Sequence, residues 1–280
     1  MAIRQLNAGL IGDHIQKTRL PAALKLMCDD AGIDLDFSLI DTAHIAGFDF
    51  ETTVKDLKAK DWSGVTVTHP FKIAARDFAG SNMLTELSHL NASNTLRFGP
   101  ETTAFNTDYT GFLDAWSHCM EGRRPGKVAM AGAGGVASAL GPALAKLGAD
   151  KISIWDIDPE KAQRLANEIG AIAHPIPIDI AEDVSRAADG LVNATALGMQ
   201  QYPGSAFART WIKQQQWAFD AVYTPVDTEF LSTAATNDLK TMSGFELFKH
   251  MAIGSFTAYT GLSPDKKSML ERLEVLKPIN

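Results

Sequence analysis

Residues 127–158, KVAMAGAGGVASALGPALAKLGADKISIWDID, restrict what this chain can fold into more than any other stretch. An apolar run from Val128 to Ala131 passes directly into a turn of small residues, Gly132-Ala133-Gly134-Gly135-Val136-Ala137. An Ala/Leu-rich segment with helical composition follows as far as Gly148, and a second apolar run, Ile152 to Trp155, ends in Asp156. Strand, glycine turn, helix, strand and acid in this order make a βαβ unit, since parallel strands need a crossover between them. The unit needs a glycine at the tight turn, another where backbone approaches a ligand, and a small residue where helix meets strand. Gly132, Gly134 and Ala137 fill those places.

The same parts form a phosphate cradle. The first N–H groups of the helix and the positive end of its dipole face the turn, so Gly132, Ala133, Gly134, Gly135 and Val136 are expected to receive a pyrophosphate. Asp156 lies 19 residues after Ala137, where an acid accepts from the hydroxyls of an adenosine ribose. A 2′-phosphate there would need a cation and would be repelled by a carboxylate. The chain reads Asp156-Ile157-Asp158-Pro159-Glu160, with no arginine before Arg164, so NAD is favoured over NADP. Asp158 has a competing and stronger local reading, the N-cap of a helix with Pro159 at its first position.

At 280 residues the chain has room for two lobes. Its 26 basic and 33 acidic residues give a net charge of −7, which argues against nucleic-acid and anionic-membrane partners. Cys28 and Cys119 stand in unrelated contexts, and no His-x-x-x-His pair occurs, so no metal is expected. The opening MAIRQLNAGLIGD lacks the apolar core of a signal peptide. No apolar run approaches the ~18 residues that span a bilayer. The expectation is a cytoplasmic protein with a small-molecule substrate and, as its one macromolecular option, a second copy of itself.

Along the chain, 8–12 is a strand entering a glycine turn, Leu20-Pro21 opens a helix that stops near Gly32, and 37–40 is a strand. Residues 50–59 form an amphipathic helix, and the β-branched run 64–68 breaks at His69-Pro70. A helix over 81–90 and a hairpin, 93–98 with 102–106 turned by Gly99-Pro100, complete the first lobe. A helix follows Asp108 to about Met120, and Arg123-Arg124-Pro125-Gly126 interrupts the chain before the glycine-turn strand. Helices over 159–168, 180–188 and 228–236 then alternate with strands 171–173, 190–193, 217–222 and 240–242, which implies a doubly wound parallel sheet. Two helices, 244–260 and 264–276, end the chain. The five tryptophans carry no stacking motif and are assigned to packing.

Several of these stretches together resemble the shikimate/quinate dehydrogenases. They are Gly9-Leu10-Ile11-Gly12 with Pro21, GVTVTHPFK at 64–72, Asn94-Thr95 with Asn106-Thr107-Asp108, the glycine turn, VNATALGM at 192–199, DAVYTP at 220–225 with Thr228, and Tyr259-Thr260-Gly261. The resemblance implies an N-terminal α/β substrate-binding domain (1–106 with 245–280) and a Rossmann-type dinucleotide-binding domain (107–244). It implies reversible oxidation of a ring hydroxyl of a cyclic carboxylic acid, within aromatic amino acid biosynthesis, with Lys72 and Asp108 as the catalytic pair. Thr18, Leu20, Thr68, Asn94, Tyr223 and Met251 fall at substrate-binding positions, and Ile157, Asp158, Thr195, Ala196 and Gly244 at nucleotide-binding ones. The wider family mostly uses NADP; a quinate/shikimate branch with acids after the second strand looks NAD-dependent, in line with Asp156.

That chemistry is coherent with the residues, although Lys72 taken by itself reads first as a surface lysine. Hydride transfer leaves an alcohol proton to be removed, so one acid/base group must lie within hydrogen-bond reach. A lysine in a partly desolvated site can hold that proton, and a carboxylate can orient the amine. Lys72 and Asp108 both read as loop positions at strand ends, where α/β sites gather. Asp108 reads equally well as the N-cap of the following helix. The substrate positions depart from the family pattern at Leu20, where a hydroxyl residue is usual, at Thr66, usually asparagine, at Asn91, usually glycine, and at Met251, usually glutamine. Arg19 lies between Thr18 and Leu20 as a candidate replacement donor. Two alternatives therefore stay open: the same chemistry on a less hydroxylated or amino-substituted substrate, and a non-catalytic sensor of metabolite or nucleotide.

Overall fold

The computed structural model describes residues 3–278. The first elements are β1 (Gln5–Gly12), α1 (Leu20–Ala31), β2 (Asp34–Asp41), α2 (Phe50–Ala59), β3 (Gly64–Val67), α3 (Lys72–Ala79), β4 (Thr95–Arg97), β5 (Thr103–Phe105) and α4 (Thr107–Cys119). Next come β6 (Lys127–Ala131), α5 (Ala137–Lys146), β7 (Lys151–Trp155), α6 (Pro159–Ile169), β8 (Ala173–Pro175), α7 (Ala181–Arg186), β9 (Gly190–Asn193), β10 (Trp217–Asp220), α8 (Glu229–Thr236) and β11 (Lys240–Ser243). The chain closes with α9 (Gly244–Thr260) and α10 (Lys266–Leu273). Tertiary contacts divide it into one unit running to Gly111 together with Lys249–Leu276, and another formed by Phe112–Phe248 with the short end from Lys277. These divisions fall inside α4 and α9, a few residues after the 106/107 and 244/245 boundaries expected from sequence. Among the described residues no helix is long and apolar enough to cross a membrane.

The first unit holds a mixed sheet in the order β2-β1-β3-β4-β5. β1 pairs in parallel with both β2 and β3, while β3-β4 and β4-β5 are antiparallel. Local sequence sets the helix ends as expected: proline starts α1 and Gly32, at φ 65°, stops it. Asp49 caps α2 by accepting from the Thr52 N–H, and Phe50, Val54 and Leu57 bury one face of that helix.

Three expectations fail in this unit, one of them the loop position of Asp108, which lies within α4. Lys72 is the first residue of a helix rather than part of a loop, because the apolar spacing Ala75, Phe78, Ala79 resumes immediately after His69-Pro70. Conversely, 81–90 contains only a 3₁₀ turn over Thr85–Leu87. The carbonyl of Asn82 accepts the Ala104 N–H and Met83 bridges to Ala104, so this backbone serves the edge of the hairpin and is not free to coil.

The second unit is a wholly parallel sheet in the order β11-β10-β9-β6-β7-β8. Progression outward from β6 runs one way through β7 and β8 and the other way through β9, β10 and β11. Strand order therefore reverses between β6 and β9, where open α/β sheets form a crevice at the carboxyl ends of their strands. Trp155, Phe207 and Phe230 pack on one another at 5.5 and 4.9 Å between ring centres. Trp217 lies against Gly190, where an added Cβ would stand 1.9 Å from the indole, and its Nε1 donates to Pro125 O. These indoles act as packing, as the sequence suggested.

Candidate active site

In the first unit, the chain leaving β3 is fixed before it reaches Lys72. Phe71 stacks on Phe50 at 5.4 Å and meets Phe48 at 5.2 Å, and its N–H returns to Thr68 O. Lys72 then opens α3, and its Nζ donates to Asp108 Oδ2 at 2.6 Å, a charge-assisted bond. The two side chains are only 13% and 14% exposed, so this ion pair is largely withdrawn from water.

Asp108 lies in the first turn of α4 but does not cap it. The cap is Asn106, whose Oδ1 accepts from the Tyr109 N–H at 3.0 Å while its amide nitrogen donates to Ala92 O. Three capping residue types stand in a row, Asn-Thr-Asp, and the backbone geometry selects the first. This leaves the Asp108 carboxylate available to Lys72.

Thr107, between them, is a hub that sequence reasoning missed. Its N–H donates to Asn94 Oδ1 at 2.7 Å, its hydroxyl meets Asn94 Nδ2 at 2.9 Å, and that hydroxyl also lies 3.1 Å from Ser255 Oγ. Ser255 in turn donates to the thioether of Met251 at 3.6 Å. Helix α9 can come this close because its contact with α4 is made by glycines. A Cβ on Gly111 would stand 2.8 Å from Met251 N, and one on Gly254 would touch Thr107 at 3.4 Å. Asn94, 2% exposed, thus spends most of its capacity holding the Asp108 turn. Ser255 carried no sequence signal, since a serine on an apolar helix looks like filler.

The remaining substrate-side residues divide. Thr68 is half-buried, against Gly12, where a Cβ would lie 2.3 Å from its methyl. Thr18 accepts the Leu20 N–H on its hydroxyl at 3.2 Å, so it serves the entry to α1. Leu20 is a core side chain, 2% exposed, which removes it as an open lining residue. Thr66 is buried and bonded to the Tyr259 hydroxyl at 2.6 Å; burial also pushes that phenol well above its usual range. The Thr66 departure is therefore a matched internal pair.

In the second unit the glycine turn follows β6. Gly132 adopts φ 95°, and a Cβ there would stand 2.8 Å from Ala194 C and O; only glycine allows β6 and β9 to close at the reversal point. No described atom lies within 4 Å of the Cβ position on Gly134, Ala137 is fully buried, and no described side chain caps α5 at Val136. Asp156 Oδ2 accepts from the Ala133 N–H at 2.8 Å and Oδ1 from the Asp158 N–H at 2.9 Å. Asp158 caps α6 through the Glu160 N–H, the stronger of its two expected roles. Ile157 is 94% exposed beside it, and Gly135 stands exposed in the turn.

Behind the turn lies a buried polar network. Asn193 Oδ1 takes both the N–H and the hydroxyl of Thr195, and its Nδ2 donates to Leu197 O and Asp220 Oδ1. Asp220 also accepts from the Val222 N–H and the Thr228 hydroxyl. Burial pushes the Asp220 carboxyl up to about 6, against the pull of those three donors. The network fixes the loop carrying Thr195 and the exposed Ala196. Gly244, whose Cβ would lie 2.2 Å from Ala221 O, lets α9 begin against the end of β10, and Tyr223 stacks on Phe248 at 5.5 Å.

A dinucleotide fits this unit on its donor set. The N–H groups of Gly132 and Ala133, expected to face a pyrophosphate, donate instead to Trp155 O and Asp156 Oδ2. Further along the turn Gly134 puts no side chain in front of the backbone, and each Asp156 oxygen keeps capacity for one further donor, as a ribose diol requires. Fold and geometry together define a two-unit α/β protein with a dinucleotide-binding sheet and a largely buried Lys–Asp pair.

A family model for the shikimate dehydrogenase substrate binding domain matches residues 10–96. The chain is 31% identical to the quinate/shikimate dehydrogenase (NAD(+)) of Corynebacterium efficiens, over 93% of this chain and 95% of that one. Its fold is similar to quinate dehydrogenase from Corynebacterium glutamicum in complex with NAD, with TM-score 0.90 and 31% identity over 97% and 99% of the two chains. It is also similar to shikimate 5-dehydrogenase from Thermus thermophilus in complex with NADP(H) and shikimate, with TM-score 0.83 and 27% identity over 96% and 99%. The chain belongs to the quinate/shikimate dehydrogenase family.

Proposed function

We propose that this chain catalyses reversible hydride transfer between NAD and a ring hydroxyl of a shikimate- or quinate-like cyclic carboxylic acid. The observation that carries the reading is the 2.6 Å Lys72–Asp108 contact in a site largely closed to water. The bound nicotinamide supplies the hydride acceptor. The alcohol proton that remains is taken at Lys72 Nζ when the amine is neutral and returned from it in the reverse direction. Asp108 aims the amine and balances the charge that arrives with the proton. Asn106 and Thr107 hold Asp108, Asn94 is buried and serves that turn, and Thr68 and Tyr223 are the polar candidates for holding the substrate. Asp156, with both oxygens able to take ribose hydroxyls, favours NAD over its 2′-phosphate.

The experiment is direct: purified protein, shikimate or quinate, and each nucleotide, followed by reduced-nicotinamide absorbance. Turnover with NAD exceeding that with NADP is expected. Absence of turnover with every cyclic hydroxy acid removes the substrate assignment, and better turnover with NADP overturns the role of Asp156.

Two observations favour a second reading, a less hydroxylated or amino-substituted substrate. Thr66 is engaged by Tyr259, and Met251 offers only a thioether that already accepts from Ser255. A substrate hydroxyl left unpaired costs about 1–3 kcal/mol. Met251→Gln should then raise kcat/KM for shikimate about tenfold; an unchanged value counts against this reading.

A further inference from the structure

Both carboxylate oxygens of Asp156 accept backbone N–H groups of the protein itself. Oδ2 takes the Ala133 N–H, tying the end of β7 to the glycine turn after β6, and Oδ1 takes the Asp158 N–H, closing the turn into α6. Asp158 caps that helix, so glycine turn, Asp156 and α6 form one hydrogen-bonded line. We propose that Asp156 is a positioning residue for the glycine turn, holding its backbone in the shape that receives a pyrophosphate, in addition to accepting from the ribose. The inference deepens the nucleotide assignment above and rests on it.

The first glycine is already fixed: Gly132 packs against Ala194 and its N–H donates to Trp155 O. Beyond it Gly134 stands in open space and no described side chain caps α5, and backbone of that kind loses conformational entropy when it closes on a ligand unless something orders it beforehand. A bond from a backbone N–H to a charged carboxylate is strong enough to do so. The geometry also makes asparagine a poor substitute. Both neighbours of Asp156 are donors, and an amide has one accepting end, so an asparagine side chain in either orientation would set an NH2 group against a backbone N–H.

The test uses an NAD analogue whose adenosine ribose lacks both the 2′- and 3′-hydroxyls, titrated calorimetrically into wild type, Asp156→Ala and Asp156→Asn. An acid that only binds ribose leaves the analogue's affinity equal in all three proteins, and that result overturns the proposal. The latch predicts that both variants bind the analogue about tenfold more weakly than wild type does, and NAD more weakly still. Should Asp156→Ala fail to fold, Asp156→Asn decides. Amide exchange in nucleotide-free protein gives a separate reading. The Ala133 N–H should exchange faster in Asp156→Asn while β7 stays protected, and unchanged exchange contradicts the latch. Wild type that binds neither NAD nor the analogue, with Ala133 still protected, sinks the nucleotide assignment and takes the proposal with it.

Discussion

The two units build their sites from different material. Around Lys72 and Asp108, polar side chains do the holding: Asn106 accepts a backbone N–H to cap α4, Asn94 and Ser255 clamp Thr107, and Lys72 pairs with Asp108. Around the glycine turn, backbone is the working surface, and the side chains that matter are absent, at Gly132 and Gly134, or serve the backbone, at Asp156. A site of the first kind should lose chemistry to a single polar change while its fold survives. One of the second kind should lose binding to a change that merely adds a carbon.

The sharpest way to break that contrast is Asp108→Asn. It keeps the shape of the α4 turn and removes the charge facing Lys72, so kcat should fall about 10²–10⁴-fold, the range for a disabled acid/base system. NAD affinity by calorimetry and the unfolding midpoint should stay near wild type. A comparable loss of NAD affinity would mean that the units do not divide their work in this way.

Asp220 gives the next largest effect, in the buried network of the second unit. Its carboxyl is raised from the usual value near 4 to about 6 in the folded protein. The native state therefore binds more protons than the unfolded state between those values. The associated stability is fully present below about pH 4 and is lost as pH rises through about 6, amounting to about 3 kcal/mol at ~1.4 kcal/mol per unit. Asp220→Asn mimics the protonated acid, with its amide able to donate to the Thr228 hydroxyl. Urea midpoints measured from pH 4 to 7 should lose this downward slope in the variant; a slope that persists assigns the titration to another group.

Gly132→Ala probes the backbone site. A methyl group at φ 95° and 2.8 Å from Ala194 should cost about 1–3 kcal/mol of stability. NAD affinity should fall with it, while the proton chemistry of Lys72 is untouched. Wild-type affinity in a stable Gly132→Ala protein would show that the turn tolerates what the geometry forbids.

The same contrast explains what the sequence disclosed. The second unit was legible almost element by element, because glycine, alternation and an acid at fixed spacing are local signals of backbone geometry. In the first unit, α2 and the hairpin followed from patterning, but α3 was hidden behind His69-Pro70, and 81–90 looked helical because its service to β5 is a long-range fact. Lys72 and Asp108 were visible as residues, whereas the Thr107 hub was not, since Asn94, Thr107 and Ser255 are scattered along the chain and meet only after folding. Leu20 stood out as a departure from family pattern and proved to be core. Thr66 did likewise and proved to be the partner of Tyr259.

The proposed reaction depends on the Lys72 amine moving the substrate proton. Lys72→Met keeps the length and apolar stem of the side chain and removes the group that holds the proton. The measurement is NAD reduction by quinate or shikimate in this variant and in wild type, with NAD affinity determined alongside. A fall in kcat of about a thousandfold with NAD binding intact is expected. Turnover within a few-fold of wild type would contradict it.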